Sequence, residues 1–303
     1  MPIVIDHNIP AYSLLSKERI FVMDKERAGT QDIRPIEIAI VNLMPTKVET
    51  ETQFMRLLSN SPLQVNITLI RTESYHSKHT ETEYLERFYK PFSEVKNKHF
   101  DGMIVTGAPV EDLEFSDVAY WDELKRIFDF TKTNVTSTLF ICWGAMAALH
   151  YFYGLEKYPL PRKLFGVFSH HRVFHETPDP LMRGISDEFH MCHSRHSTIR
   201  EKDVEKDKRL KILATSHRAG APIVSSLDHS QIFVLGHMEY DRDTLKKEYE
   251  RDLSKNLPID KPFCYFADKE CTKINMNWTS TSNLFYNNWL NFVYQTTPYS
   301  FDE

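Results

Sequence analysis

Four short runs in the first half of the chain are apolar almost throughout: IEIAIVNLM (36–44), LQVNITLIR (63–71), FDGMIVTGAP (100–109) and STLFI (137–141). Each is too short for a helix, rich in β-branched residues and cut off by a turn residue such as Pro45 or Gly107. Between them lie stretches with helical rhythm. These are residues 46–60 and SDVAYWDELKRIFDFTK (116–132), where Val118, Trp121, Leu124 and Ile127 recur every three residues. A further one is AMAALHYFYG (145–154), closed by Gly154, a usual helix C-terminal signal. Strands that are apolar on both faces and alternate with helices predict an α/β fold, a parallel sheet covered by helices on both sides.

Later in the chain, LKILATS, APIVSSL and QIFVLGH (210–237) follow one another too closely for crossover helices and are spaced like hairpin strands. RDTLKKEYERDLSK (242–255) reads as a helix begun by Asp243 or Thr244. Residues 258–303 are aromatic and Asn-rich with weak periodicity, and read as packed rather than disordered. No Pro/Gly/Ser-rich linker divides the 303 residues, so one domain is expected over 1–303. It comprises an N-terminal arm (1–34), an α/β core (35–257) and a C-terminal extension (258–303).

A net charge of −5 gives no electrostatic reason to expect a nucleic-acid partner. The four cysteines, Cys142, Cys192, Cys264 and Cys271, form no C-x-x-C pair and no tight framework, which fits a reducing compartment. The N-terminus carries Asp6, His7 and two prolines where a secretory leader needs an unbroken apolar stretch. The most membrane-like run, 137–151, contains Gly144 and His150 and falls short of the ~20 apolar residues a bilayer requires, so no membrane association is expected.

Cys142 stands where the fourth strand gives way to its helix. In open parallel sheets, ligands and catalytic groups gather at the carboxyl ends of strands. A thiol at a helix N-terminus gains from the helix dipole, which favours the thiolate. The next amide, that of Trp143, is placed to donate to an oxyanion, and Gly144 and Ala145 keep the turn uncrowded. The competing reading is a buried structural cysteine. A partner favours the catalytic one: FVLGHMEYD puts His237 just after an apolar strand and Glu239 two residues on. The imidazole would take the thiol proton while the carboxylate fixes its tautomer.

The sequence has fourteen histidines, dense in SHHRVFH (169–175) and FHMCHSRH (189–196), but no H-E-x-x-H or paired C-x-x-C, so no metal is expected. There is no G-x-x-x-x-G-K-[ST] loop or G-x-S-x-G elbow, and VTGAPVE is not a dinucleotide fingerprint.

NLMPTKVETE (42–51), DGMIVTGAPVE (101–111), FICWGAMA (140–147), HSRH (193–196), GHMEYD (236–241) and NNWLNFVYQTTPY (287–299) together resemble the homoserine O-acyltransferase family of methionine biosynthesis. The resemblance runs in order along the whole chain. It implies a class I glutamine amidotransferase-like (flavodoxin-like) fold, a cytoplasmic homodimer, and ping-pong transfer of an acyl group from acyl-CoA to the γ-hydroxyl of L-homoserine. No cofactor is implied, acetyl-CoA being a co-substrate. By the same resemblance Cys142 is the acyl-thioester nucleophile, His237 the general base and acid, and Glu239 its orienting partner. Lys163, Ser194 and Arg251 are implied as homoserine-site residues, an amino-acid carboxylate being well matched to a forked guanidinium. Taken alone, Arg251 would read as a helix-surface charge paired with Glu248, and Lys163 as a surface lysine. Lys47, in the turn after the first strand, is read as an oxyanion group beside the Trp143 amide, or simply as a helix-start lysine.

In this family the residue after GAPV sorts the donors, small Gly accompanying succinyl-CoA and Glu accompanying acetyl-CoA. Here it is Glu111, whose carboxylate would repel the free carboxylate of a succinyl group. The alternative is a helix-capping role beside Asp112. The chain departs from the family pattern at Met238, at Cys192 and in WTSTSNLF (278–285). The expectation is therefore a homoserine O-acetyltransferase. Its rivals are a succinyltransferase or serine O-acetyltransferase on the same scaffold, a glutamine amidotransferase, and a redox-sensing thiol protein. Phe140 counts against the amidotransferase, which wants a small Gly two residues before the cysteine.

Overall fold

The structure, a computed structural model, describes residues 3–18, 22–29, 34–74 and 81–298. The rest of the sequence-defined arm and extension, including Tyr299 of the last family motif, lies outside the described residues.

The elements run β1 (Ile3–Val4), α1 (Pro10–Lys17), β2 (Val22–Met23), α2 (Lys25–Ala28), β3 (Ile36–Val41), α3 (Lys47–Leu58), β4 (Val65–Arg71), α4 (Thr82–Phe88), β5 (Tyr89–Pro91), α5 (Phe92–Val95) and β6 (Phe100–Val105). They continue with α6 (Trp121–Asn134), β7 (Val135–Ile141), α7 (Trp143–Tyr153), β8 (Tyr158–Arg172), β9 (Glu188–Thr198), α8 (Glu201–Lys206), β10 (Leu210–Ser216), β11 (Gly220–Ser226), β12 (Gln231–Val234), α9 (Thr244–Ser254) and α10 (Thr279–Thr296). All twelve strands join one sheet in the order β2-β1-β4-β3-β6-β7-β12-β11-β10-β8-β9, with β5 beside β4. From β2 to β12 every pairing is parallel, and beyond β12 every pairing is antiparallel.

The parallel half explains the apolar runs. Along β3, Ile38 and Ile40 enter one core while Ala39 and Val41 enter the other, as the two-residue period of a strand demands. Helices α3 and α10 close the first face, through Phe54, Leu58, Trp289 and Leu290. Helices α6 and α7 close the second, through Phe128, Met146 and Leu149. Sheet order and helices on both faces agree with the expected α/β class.

Two regions differ from the sequence reading. Residues 279–296, read as weakly periodic, form an 18-residue helix whose buried Phe285, Tyr286, Trp289, Leu290 and Val293 recur every three or four positions. Thr, Ser and Asn, all indifferent helix formers, hide that stripe. The second is the long antiparallel pair β8 and β9, built from the histidine-rich segments, which the sequence reading weighed as metal ligands and as the source of Ser194 but did not assign as strands. The segment before residue 35 also reaches the sheet, Ile3 pairing with both Val65 and Val22.

Candidate active site

Cys142 lies between β7 and α7 with φ 50° and ψ −114°, a conformation that non-glycine residues adopt only under constraint. Its N–H donates to Val234 O at 2.7 Å and its carbonyl accepts from Met146 N at 3.1 Å. A Cβ on Gly144 would stand 2.5 Å from Thr106 O, so only glycine lets α7 start this close to the end of β6. A Cβ on Gly107 would come within 3.3 Å of Cys142 Cβ, which places the Thr106–Gly107 turn against Cys142. Trp143 opens the helix, where an N–H has no intrahelical acceptor and is left for a ligand.

The parallel register Val234↔Ile141 makes β12 and β7 end together, so the residues after each strand emerge at the same edge. After β12 the chain is pinned by His237 N donating to Cys192 O at 2.7 Å. His237 Nδ1 lies 2.6 Å from Glu239 Oε1, and both residues are buried. With Nδ1 engaged, Nε2 is the ring nitrogen left to face the Cys142 sulfur, whose charge acts on this imidazole. Tyr240 stacks on the imidazole at 4.1 Å and 12°. Burial works against a charged imidazole here, but the Glu239 carboxylate and the Cys142 sulfur outweigh it and hold His237 well above the ordinary histidine range.

Neighbouring groups are inert by contrast. Cys192 is fully buried, and burial followed by the Glu239 charge pushes its thiol well up. His170 Nε2 and His193 Nε2 face each other at 2.9 Å inside the protein. Burial lowers His170 to about 3 and pushes His193 well down. Among the described residues no group of three or more His, Cys, Asp or Glu is placed to hold a metal ion.

Beside the dyad is a cavity of about 330 Å³ whose wall includes Thr106, Gly107, His237, Tyr240, Glu248 and Arg251. Lys163 Nζ, on β8, donates to Glu248 Oε1 at 2.6 Å, and Ser194 Oγ, on β9, donates to the same oxygen at 2.9 Å. The pairing Phe165↔Ser194 in the β8–β9 ladder brings these two strands to α9 together. Arg251 is 3.6 Å from Glu248 Oε1 and 2.7 Å from Asp252 Oδ1, its side chain still 54% exposed. The three expected acceptor residues thus converge on the Glu248 carboxylate, and with Asp252, 3.7 Å from Lys163, the cluster presents two anions and two cations within a small volume. This geometry suits a zwitterionic amino acid next to a thiol nucleophile.

A family model described as homoserine O-succinyltransferase matches residues 2–299. The chain belongs to this family.

Among individual relatives, the homoserine O-acetyltransferase of Geobacillus sp. (strain WCH70) is 53% identical over 304 residues, covering 100% of both chains. That of Methanomethylophilus alvi (strain Mx1201) is 52% identical over 305 residues, covering 100% of this chain and 98% of its own. A glutamine amidotransferase from Thermotoga maritima superposes with a TM-score of 0.54 at 12% identity, covering 86% of this chain and 99% of its own. At that identity the likeness speaks for the fold, which is of the class I glutamine amidotransferase type.

In this homoserine O-succinyltransferase family member, Glu111 turns to β9: Oε2 accepts from His196 N at 2.7 Å and Ser197 N at 2.9 Å. Burial raises its pKa, against those amides and nearby Arg195. Lys47 is buried, donates to Asn42 O, and is lowered to about 8 by burial despite the attraction of Glu51. No hydrogen bond or ion pair among the described residues joins it to Cys142, His237 or Glu239. Thr106 Oγ1 accepts from Leu43 N at 2.8 Å and so ties the turn before Lys47 to the loop against Cys142.

Glu248 and Tyr240 were not singled out as site residues from sequence. The signal for the first was present: Thr244, Lys247, Glu248 and Arg251 line the cavity and are spaced as one face of a helix.

Proposed function

We propose that this protein is a homoserine O-acetyltransferase working through a Cys142 thioester. The observation that carries the reading is the buried chain from Glu239 through His237 to Cys142, opening beside the Lys163–Glu248–Arg251 cluster. The Cys142 sulfur, its proton passed to His237, attacks the acetyl carbonyl of acetyl-CoA, and the Trp143 N–H receives the oxyanion. Collapse breaks the carbon–sulfur bond to CoA, whose thiolate takes the proton held by His237. L-Homoserine then binds, its carboxylate to Arg251 and its ammonium to Glu248. Its γ-hydroxyl gives its proton to His237 as the oxygen attacks the thioester, and collapse restores the Cys142 thiol while releasing O-acetyl-L-homoserine.

Acetyl is favoured over succinyl because the relatives above are named acetyltransferases and because the ionised form of Glu111, on the loop after β6, would repel the free carboxylate of a succinyl group. The family description keeps succinyl-CoA as the second reading. On either reading the protein serves methionine biosynthesis in the cytoplasm, as a homodimer and without a cofactor.

The deciding experiment is the intact mass of the protein after exposure to acetyl-CoA or succinyl-CoA without acceptor, followed by peptide mapping. An acetyl adduct on Cys142 that disappears on adding homoserine is the expected result. A succinyl adduct instead would keep the mechanism and reverse the donor, and no adduct from either would overturn the thioester.

A further inference from the structure

A second cavity, of about 440 Å³, adjoins the first, with Met44 in the wall of both. We propose that this cavity takes the pantetheine arm of the acyl-CoA donor, with Arg71 holding a phosphate of its nucleotide end. The inference rests on the acyl-CoA reading given above.

Position is the first argument. Thr106 and Gly107 line the acceptor cavity, while Pro109 and Val110, on the same loop, line the second. The loop against Cys142 therefore has a cavity on either side, and a donor entering past Pro109 reaches the thiol without crossing the acceptor cluster. A ping-pong enzyme must admit a long donor and a small acceptor to one sulfur, and two cavities flanking one loop meet that need.

Lining is the second. Leu43, Met44, Leu85, Val110 and Tyr120 make the walls predominantly apolar, which suits a chain of methyl, methylene and amide groups.

Charge is the third. Arg71 ends β4, half-buried at the cavity wall, and its Nε is buried without a hydrogen-bond partner. Other arginines of the fold have acids: Arg34 pairs with Asp101, Arg56 with Glu18 and Asp241, and Arg209 with Asp207. No such pair engages Arg71 among the described residues. The two acids that line the cavity, Glu86 and Asp117, are exposed at its rim. A guanidinium with no acid partner among the described residues, on an apolar cavity wall, is a fork for phosphate oxygens.

The test measures the initial rate of Cys142 acetylation by mass spectrometry against donor concentration, using acetyl-CoA and S-acetylpantetheine, which lacks the phosphates. Arg71→Gln is expected to raise the half-saturating acetyl-CoA concentration about ten- to a hundredfold and leave S-acetylpantetheine and the homoserine KM unchanged. Val110→Trp is expected to raise it for both donors. Unaltered acetyl-CoA saturation in Arg71→Gln, or an equal loss with both donors, overturns the phosphate assignment. Unaltered saturation in Val110→Trp overturns the cavity. A wild-type protein that no acyl-CoA acylates removes the functional reading itself, which separates that failure from these.

Discussion

The Lys163 ammonium lies 2.6 Å from Glu248 Oε1, with both side chains only 16% exposed, and Ser194 donates to that same oxygen. Two donors on one oxygen fix the orientation of the Glu248 carboxylate in the cavity wall, where we propose that it meets the ammonium of homoserine. Glu248→Gln keeps the shape and removes the charge. Homoserine KM is expected to rise by about tenfold or more, while acetylation of Cys142 by acetyl-CoA keeps its wild-type rate. Steady-state kinetics together with single-turnover acetylation check this. Equal slowing of both half-reactions would mean that Glu248 supports the dyad instead.

The two thiols nearest the site are expected to behave oppositely. Cys142 sits at the helix start within the electrostatic reach of His237, whereas Cys192 is fully buried with its thiol pushed well up. Cys142→Ala is expected to lower kcat by about a thousandfold or more, and Cys192→Ala by less than about threefold. Iodoacetamide followed by peptide mapping should label Cys142 before Cys192 in the native protein. Preferential labelling of Cys192 would overturn the assignment.

Glu239→Gln probes the charge that raises His237. Burial alone lowers a histidine, and Glu239 is the larger of the two attractions opposing it. The imidazole titration, followed by histidine NMR, is therefore expected to move down in the variant. A histidine raised in the folded state adds stability that is fully present below its unfolded value of about 6.5 and is lost as pH rises through the folded value. Urea unfolding should accordingly show a larger gap between wild type and variant at pH 6 than at pH 9. A gap that grew with pH would reverse the sign of this coupling.

The parallel half of the fold, and the meeting of His237 and Glu239 at the strand edge where Cys142 stands, were legible because local sequence encodes them. Ile38 and Ala39 face opposite cores, so β3 had to be apolar throughout, and a cysteine between strand and helix has a small set of geometries open to it. Glu248 was read only as the i−3 neighbour of Arg251, since nothing local says that β8 and β9 would bring Lys163 and Ser194 onto it. The same holds for α10. Trp289 is fully buried, donates to Ser137 Oγ at 3.1 Å and stands so close to Gly102 that a Cβ there would meet its ring at 2.9 Å. Those contacts span more than a hundred residues, and tertiary packing rather than helix propensity fixes the element.

Glu111 allows charge and shape to be separated as causes of donor choice. Its Oε2 accepts from the His196 and Ser197 amides, and Ser197 O in turn accepts from the buried Arg195 guanidinium at 2.7 Å, so the carboxylate is held by β9 rather than left mobile. Glu111→Gln offers a carbonyl oxygen to the same amides without the charge, whereas Glu111→Gly removes the side chain. If like-charge repulsion excludes succinyl-CoA, both variants should raise the succinyl-to-acetyl ratio of kcat/KM, by about ten- to a hundredfold. If occupancy of space decides, only Glu111→Gly should do so, and Glu111→Gln should match wild type. Because burial raises the Glu111 pKa, repulsion would also weaken as pH falls and a greater share of the carboxyl is protonated. Wild type should then accept succinyl-CoA progressively better as pH is lowered through the acid side of its activity range, while acetyl-CoA use changes in parallel with the dyad alone. A ratio that stays constant across pH and in both variants would remove Glu111 from donor selection and leave it as a brace between the loop after β6 and strand β9.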